Sequence, residues 1–261
     1  MSRTRQKPSR GPFVLDIEVA VPSESPERSR YPLNIPAIAA LSTLPLSPTV
    51  TFLVGENGSG KSTILEAIAC AVGLNPEGGS RNFRFATRES HSELYRHLRV
   101  ARSAARPADL YFLRAESYFN VASEIEALDR EPAPGPKIIT SYGGRSLHEQ
   151  SHGESFFALF QHRLFGPGLY LLDEPEAALS PQRQIAMLGL MHRLVERGSQ
   201  FIVATHSPII LAYPGATIYS LDRSGIHTVA YRESDHYRIS RAFLENPELA
   251  LEELLRPEEG A

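Results

Sequence analysis

Residues 55 to 62 read Gly55-Glu56-Asn57-Gly58-Ser59-Gly60-Lys61-Ser62, a full G-x-x-x-x-G-K-[ST] pattern set between an apolar run and a helical one. No other stretch limits the fold as much, because the pattern works only at the turn from a buried strand into a helix. Val50-Thr51-Phe52-Leu53-Val54 reads as that strand and Ser62 to Val72 as the helix, with its N-terminal dipole toward the loop. Glycines let the loop's N–H groups point inward around a triphosphate, and Lys61 brings a charge to the β- and γ-phosphates. Ser62 offers its hydroxyl to Mg²⁺. Asn57, Gly58, Ser59, Gly60, Lys61, Ser62 and Thr63 are the expected nucleotide contacts.

A second apolar strand, Leu169-Tyr170-Leu171-Leu172, ends in Asp173-Glu174. Beside a phosphate loop, this pair suits a metal carboxylate (Asp173) and a base that orients water (Glu174). Gln200 to Thr205 reads as another buried strand, followed by His206-Ser207-Pro208. Ser207 fits a helix N-cap and Pro208 the first helical position, which holds His206 at the strand edge where a γ-phosphate would sit. Ser151-His152-Gly153-Glu154-Ser155 opens the apolar helix Phe156 to Phe160. Ser151 and Glu154 fit a capping box, and a capped helix start beside a glycine is also an anion site.

At 261 residues, 42% hydrophobic and 22% charged, the chain has the composition of one globular domain. A single cysteine excludes an internal disulfide, and Cys70, among Ala67, Ile68 and Ala71, reads as a small core residue in a reducing compartment. The basic, polar start has no apolar stretch behind it, and the window Ile35 to Val54 is broken by Pro36, Pro45 and Pro48. No membrane insertion and a cytoplasmic location are expected. The net charge of −3 leaves no global basic footprint for nucleic acid.

Residues 1–11 read as a disordered arm with Arg3, Arg5, Lys7 and Arg10, and 12–261 as one domain. Phe13 to Val21 alternates as a strand of an antiparallel flap. Residues 75–150 form an insertion in which Ser90 to Ala104 and Ala122 to Leu128 show helical patterns. No heptad run is long enough for a coiled-coil arm. Arg81, Arg84 and Arg88 form a basic cluster whose ordinary use is a solvated face. Thr217 to Leu221 and Ile226 to Tyr231, joined at Asp222 to Gly225, read as a hairpin. Ser240 to Leu255 reads as one amphipathic helix packed on its own domain.

Taken together, these motifs resemble the ABC-class ATPases, over nearly the whole length from Pro12 to Leu255. The resemblance equates Gly55 to Thr63 with the Walker A loop and Leu169 to Glu174 with the Walker B strand. Ser151 to Ser155 stands at the signature, Glu176 to Pro181 at the D-loop and His206 at the switch histidine. In dialect the motifs are similar to the soluble SMC, RecF and OLD-type ATPases rather than to transporter subunits. The fold implied is an α/β P-loop NTPase with an antiparallel β flap and a small helical subdomain. The resemblance further implies ATP and Mg²⁺ as cofactors and a homodimer formed on ATP, in which Ser151 and Gly153 meet the neighbour's nucleotide. Lys61, Glu174 and His206 are then the catalytic residues, Ser62 and Asp173 the metal ligands, and Tyr31, two dozen residues before the loop, the adenine stacker. The family's lid glutamine is missing: Arg114-Ala115-Glu116-Ser117 stands in its place, so Glu116 becomes the lid and metal candidate and Arg114 an alternative contact. What closure drives stays open among DNA in repair or defence, a transporter's membrane subunits and an unidentified protein partner.

Overall fold

The computed structural model describes residues 11–22, 24–80, 92–131, 134–149 and 152–256. Nine strands and eight helices appear among these described residues. The strands are β1 (Val14–Val19), β2 (Thr43–Pro45), β3 (Val50–Val54), β4 (Leu98–Arg102), β5 (Asp109–Arg114), β6 (Gly168–Asp173), β7 (Gln200–Ala204), β8 (Thr217–Asp222) and β9 (Gly225–Thr228). The helices are α1 (Pro36–Ala39), α2 (Lys61–Ala71), α3 (Leu94–His97), α4 (Tyr118–Arg130), α5 (His152–Ala158), α6 (Pro181–Glu196), α7 (Asp235–Glu245) and α8 (Pro247–Leu254).

Two sheets result. The main one runs β5-β6-β7-β3-β8-β9, parallel except for the final hairpin, and the flap runs β2-β1-β4, antiparallel throughout. The central strands β3, β6 and β7 are buried at every residue, as a sheet covered on both faces requires. Alternation then divides the core: Phe52 and Val54 of β3 pack into one apolar cluster, Leu53 into the other with Ile64, Leu65 and Ile68 of α2. Gln200 joins the two sheets. Its buried amide accepts from the N–H groups of Phe13 and Val14 at 2.9 and 3.0 Å, and donates to the Val14 and Ser47 carbonyls at 2.8 Å.

The order β6-β7-β3 has a chemical consequence. It brings the C-terminal ends of three strands side by side, so that Asp173 pairs with Ala204 and Ala204 with Leu53. Whatever follows each strand converges there.

Two stretches differ from their sequence patterns. Within Ser90 to Ala104 only Leu94–His97 is helical; Leu98–Arg102 is a strand, with Leu98 opposite Val19 and Val100 opposite Ile17. Leu94 and Leu98 have helical spacing, but the open edge of β1 offers backbone partners that outweigh local propensity. The tail is two helices, because the residue before a proline avoids helical angles: Asn246 lies at φ −144°, and Pro247 starts α8. Nor is the tail packed down: Ile239, Phe243, Leu244, Leu254 and Leu255 are exposed. Among the described residues, no helix is long and apolar enough to cross a membrane.

Candidate nucleotide site

The loop after β3 turns at Gly55, whose φ is +147°; a side chain there would collide with the Leu221 carbonyl oxygen. Asn57 and Gly58 are exposed at the loop's tip, while Ser62 and Thr63 are half-buried in the first turn of α2. Lys61 is buried, and its Nζ donates back to the carbonyls of Gly55 and Glu56 at 2.8 and 3.0 Å. Burial lowers its proton affinity, while Glu174, Asp173 and Glu176 act in the opposite direction. The ammonium therefore sits at the meeting point of the loop and three carboxylates.

Ser62 Oγ donates to Asp173 Oδ1 at 2.9 Å, bringing together the ends of β3 and β6. Asp173 is buried, and that pushes its carboxyl up to about 6; the Ser62 hydrogen bond and the Arg114 charge pull it down, and Glu174 and Glu116 add to the rise. Arg114, at the end of β5, lies with Nε 3.7 Å from Asp173 Oδ2 and Nη1 2.8 Å from Glu66 Oε2 on α2. Its Nη2 reaches Glu116 Oε2 at 3.4 Å, but the Glu116 side chain is itself 80% exposed.

Glu174 is the only non-glycine with positive φ among the described residues, at +50°. A left-handed residue of this kind costs of order 1 kcal/mol or more and persists only where its surroundings impose it. Here the Glu174 N–H donates to the Ala204 carbonyl at 2.9 Å, which fixes the turn beyond β6 against the end of β7. Its Oε1 then lies 3.5 Å from Nε2 of His206. The His206 loop is held from three sides. The His206 N–H donates to Glu176 Oε1, Ser207 Oγ accepts from the N–H groups of Ile209 and Ile210, and Ser207 donates to Gln184 Oε1 at 2.6 Å. Ser207 thus closes a local turn ahead of the short Ile210–Ala212 element, whose N-cap is Ile209, and no long helix begins at Pro208.

Four buried polar atoms of this region, Ser59 Oγ, Arg114 Nε, Glu176 Oε2 and His206 Nε2, have no hydrogen-bond partner. Such groups are expensive to leave unmet, and Ser59 and His206 lie on segments that would face a triphosphate. The Ser62 and Asp173 oxygens fit Mg²⁺, a hard cation that keeps several waters and takes one or two protein ligands beside substrate phosphates. Among the described residues there is no cluster of three or more His, Cys, Asp or Glu that would form an all-protein cage.

The remaining candidates lie as follows. Gly153 starts α5 against Ala178 and Arg183; Ser151 falls outside the described residues, as do the 1–10 arm and Arg81, Arg84 and Arg88. Tyr31 is 69% exposed, upstream of Ile35 and Ile38, which close over Gly60. Sequence reasoning missed three residues that complete the site. Glu66 was readable as a lone carboxylate on an apolar helix face; Glu176 stood inside a recognised motif without an assigned partner; His236 of α7, which meets His206, carried no local signal.

Two family models match the chain. Residues 35–122 match one described as "AAA domain" and residues 138–212 one described as "AAA domain, putative AbiEii toxin, Type IV TA system". A "Putative ABC transporter ATP-binding protein" of Geobacter sulfurreducens is 25% identical over 191 residues, covering 67% of this chain and 65% of its own length. A protein of the same description from Streptomyces coelicolor is 33% identical over 180 residues, covering 62% of this chain and 30% of its own. The chain thus spans less than two thirds of these relatives. Among solved structures, an ATP-binding cassette of an ABC transporter superposes with a TM-score of 0.50 at 16% identity, over 92% of this chain and 99% of the other, a likeness of fold. With the phosphate loop, the acidic strand end and the histidine loop gathered on one sheet edge, these matches support an ABC-class P-loop ATPase.

Proposed function

We propose that two copies of this chain close on two ATP molecules and hydrolyse them, each copy holding one nucleotide on its own phosphate loop. The observation that carries this reading is the meeting of Ser62 Oγ with Asp173 Oδ1 at 2.9 Å, with the Glu174–His206 pair at 3.5 Å beside it. Lys61 leaves the Gly55 and Glu56 carbonyls to take the β- and γ-phosphates. Ser62 and Asp173 would hold Mg²⁺, which would neutralise charge on the phosphate oxygens. Glu174 accepts a proton from the water that attacks the γ-phosphorus, the bond to the ADP oxygen breaks, and His206 Nε2 donates to a γ-phosphate oxygen as negative charge builds there. Glu116 or Arg114 stands where the lid acts, and Tyr31 is offered to the adenine.

Support for the dimer comes from the family resemblance, in which the Ser151 to Ser155 segment serves the neighbouring copy's nucleotide. Mixing inactive Ser151→Arg protein with inactive Lys61→Ala protein should therefore restore one working site per heterodimer, read as phosphate release. No recovery, at concentrations where wild type dimerises with ATP, would end the shared-site reading. Running the same assay with single- and double-stranded DNA separates a DNA-coupled cycle, in which turnover rises, from one that serves a protein.

A further inference from the structure

The two ring nitrogens of His206 face different partners. Nε2 looks at Glu174 Oε1 at 3.5 Å, and Nδ1 lies 3.2 Å from Nε2 of His236, the second residue of α7. A carboxylate can only accept, so the Glu174 charge favours a proton on the nitrogen that faces it, although at 3.5 Å the two make no hydrogen bond. In a neutral imidazole the other nitrogen is then a bare acceptor and needs a donor. We propose that His236 is a positioning residue of the ATP site: its Nε2–H donates to His206 Nδ1 and thereby keeps the proton on His206 Nε2, the nitrogen that meets the γ-phosphate. The inference rests on the reading of His206 given above.

The surroundings fit a dedicated contact. Tyr231 OH donates to the Pro208 carbonyl at 3.0 Å, two residues beyond His206, and the Tyr237 ring packs on the Tyr231 ring at 4.8 Å between centroids. Ser234 caps α7 by accepting from the Tyr237 N–H. These links pin the start of α7 beside the histidine loop. No residue of α7 is buried, so His236 is not placed there by the demands of a packed core. Three other groups bear on His236, namely His206, Lys61 of α2 and Asp235 of its own helix. Burial is the largest influence on His236 and lowers its proton affinity, with His206 and Lys61 adding to this and Asp235 opposing it; a neutral donor agrees with that balance. The identity of the protonated nitrogen in a histidine is set by the bond its other nitrogen makes, which is the part proposed for His236.

Nitrogen NMR of histidine-labelled protein reads the tautomer directly, with His206 and His236 assigned by substitution. In wild type, His206 should carry its proton on Nε2, with Nδ1 shifted as an acceptor; in His236→Phe the His206 signals should become a mixture of tautomers. In turnover, His236→Ala should lower kcat by about tenfold, the lower end of what partners of ligating histidines contribute, with KM for MgATP within about twofold. His236→Gln keeps an N–H donor and should recover most of that loss. In a His206→Ala background, His236→Ala should cost nothing more. A wild-type His206 protonated on Nδ1, or a His236→Ala loss that persists without His206, overturns the proposal. Full turnover by His206→Ala alone would instead remove the role assigned to His206, and the wild-type tautomer would still decide the hydrogen bond to His236.

Discussion

Ser62 and Asp173, 111 residues apart in the chain, touch through a hydrogen bond of 2.9 Å. The contact holds side by side the two protein oxygens proposed to take Mg²⁺, so the fold itself fixes their spacing. Ser62→Ala removes one of them without disturbing the loop's glycines or Lys61. ATP affinity measured with Mg²⁺ should fall by about tenfold, which is about 1.4 kcal/mol, while affinity in EDTA stays level. An equal loss in both titrations would move Ser62 from metal binding to loop structure.

Asp173 makes a pH-dependent demand on stability. Its carboxyl stands at about 6 in the folded protein, mainly through burial, against about 3.9 in an unfolded chain. Between those values the folded state binds more protons, so this group's contribution to stability falls as pH rises from about 4 to about 6 and remains unfavourable above. In metal-free protein Asp173→Asn should therefore be more stable than wild type by roughly 2 to 3 kcal/mol at pH near 8, shrinking to about 1 kcal/mol near pH 4.5. Urea unfolding in EDTA across that range tests it; a pH-independent difference would contradict the assignment. Arg114→Met should enlarge the gap, since the Arg114 charge favours the ionised form.

In the proposed mechanism Glu174 serves proton transfer and adds little to ground-state binding. Glu174→Gln should bind MgATP as wild type does and turn over about 10² to 10⁴ times more slowly. Lys61→Ala should lose nucleotide binding itself. If Glu174→Gln hydrolyses ATP at the normal rate, the base lies elsewhere.

What could be read from the sequence, and what could not, divides along a physical line. Lys61, Ser62, Asp173 and Glu174 were legible because each sits in a local pattern whose chemistry fixes its neighbours. The buried strands β3, β6 and β7 were legible as apolar runs of the right length. β4 was not, since Leu94 and Leu98 mimic a helical face and only the unpaired edge of β1 decides otherwise. Glu176, whose carboxylate accepts from the His206 N–H across 30 residues, and His236, as far away on the other side, depend on packing between segments with no shared pattern. Glu116 was chosen for its place at a strand end; the structure puts its side chain mostly in solvent and gives the inward contacts to Arg114.

Gly153 offers a test of the segment that precedes α5. A Cβ built there would stand 2.8 Å from the Ala178 carbonyl oxygen and 2.6 Å from Arg183 Nη1. The arginine can swing away; the carbonyl belongs to the turn Pro175–Ala178, which follows Glu174 and contains Glu176, and cannot move without them. Gly153→Ala should therefore destabilise the protein by about 1 to 3 kcal/mol, as overpacking does, visible as a lower Tm. ATP affinity, set by the chain's own phosphate loop, should hold. Turnover should fall, and because the proposed dimer uses this segment on the neighbouring nucleotide, mixing Gly153→Ala with Lys61→Ala protein should recover part of it. Unchanged Tm and turnover would mean that α5 shifts freely against Ala178, and that its start does not set the geometry of the site.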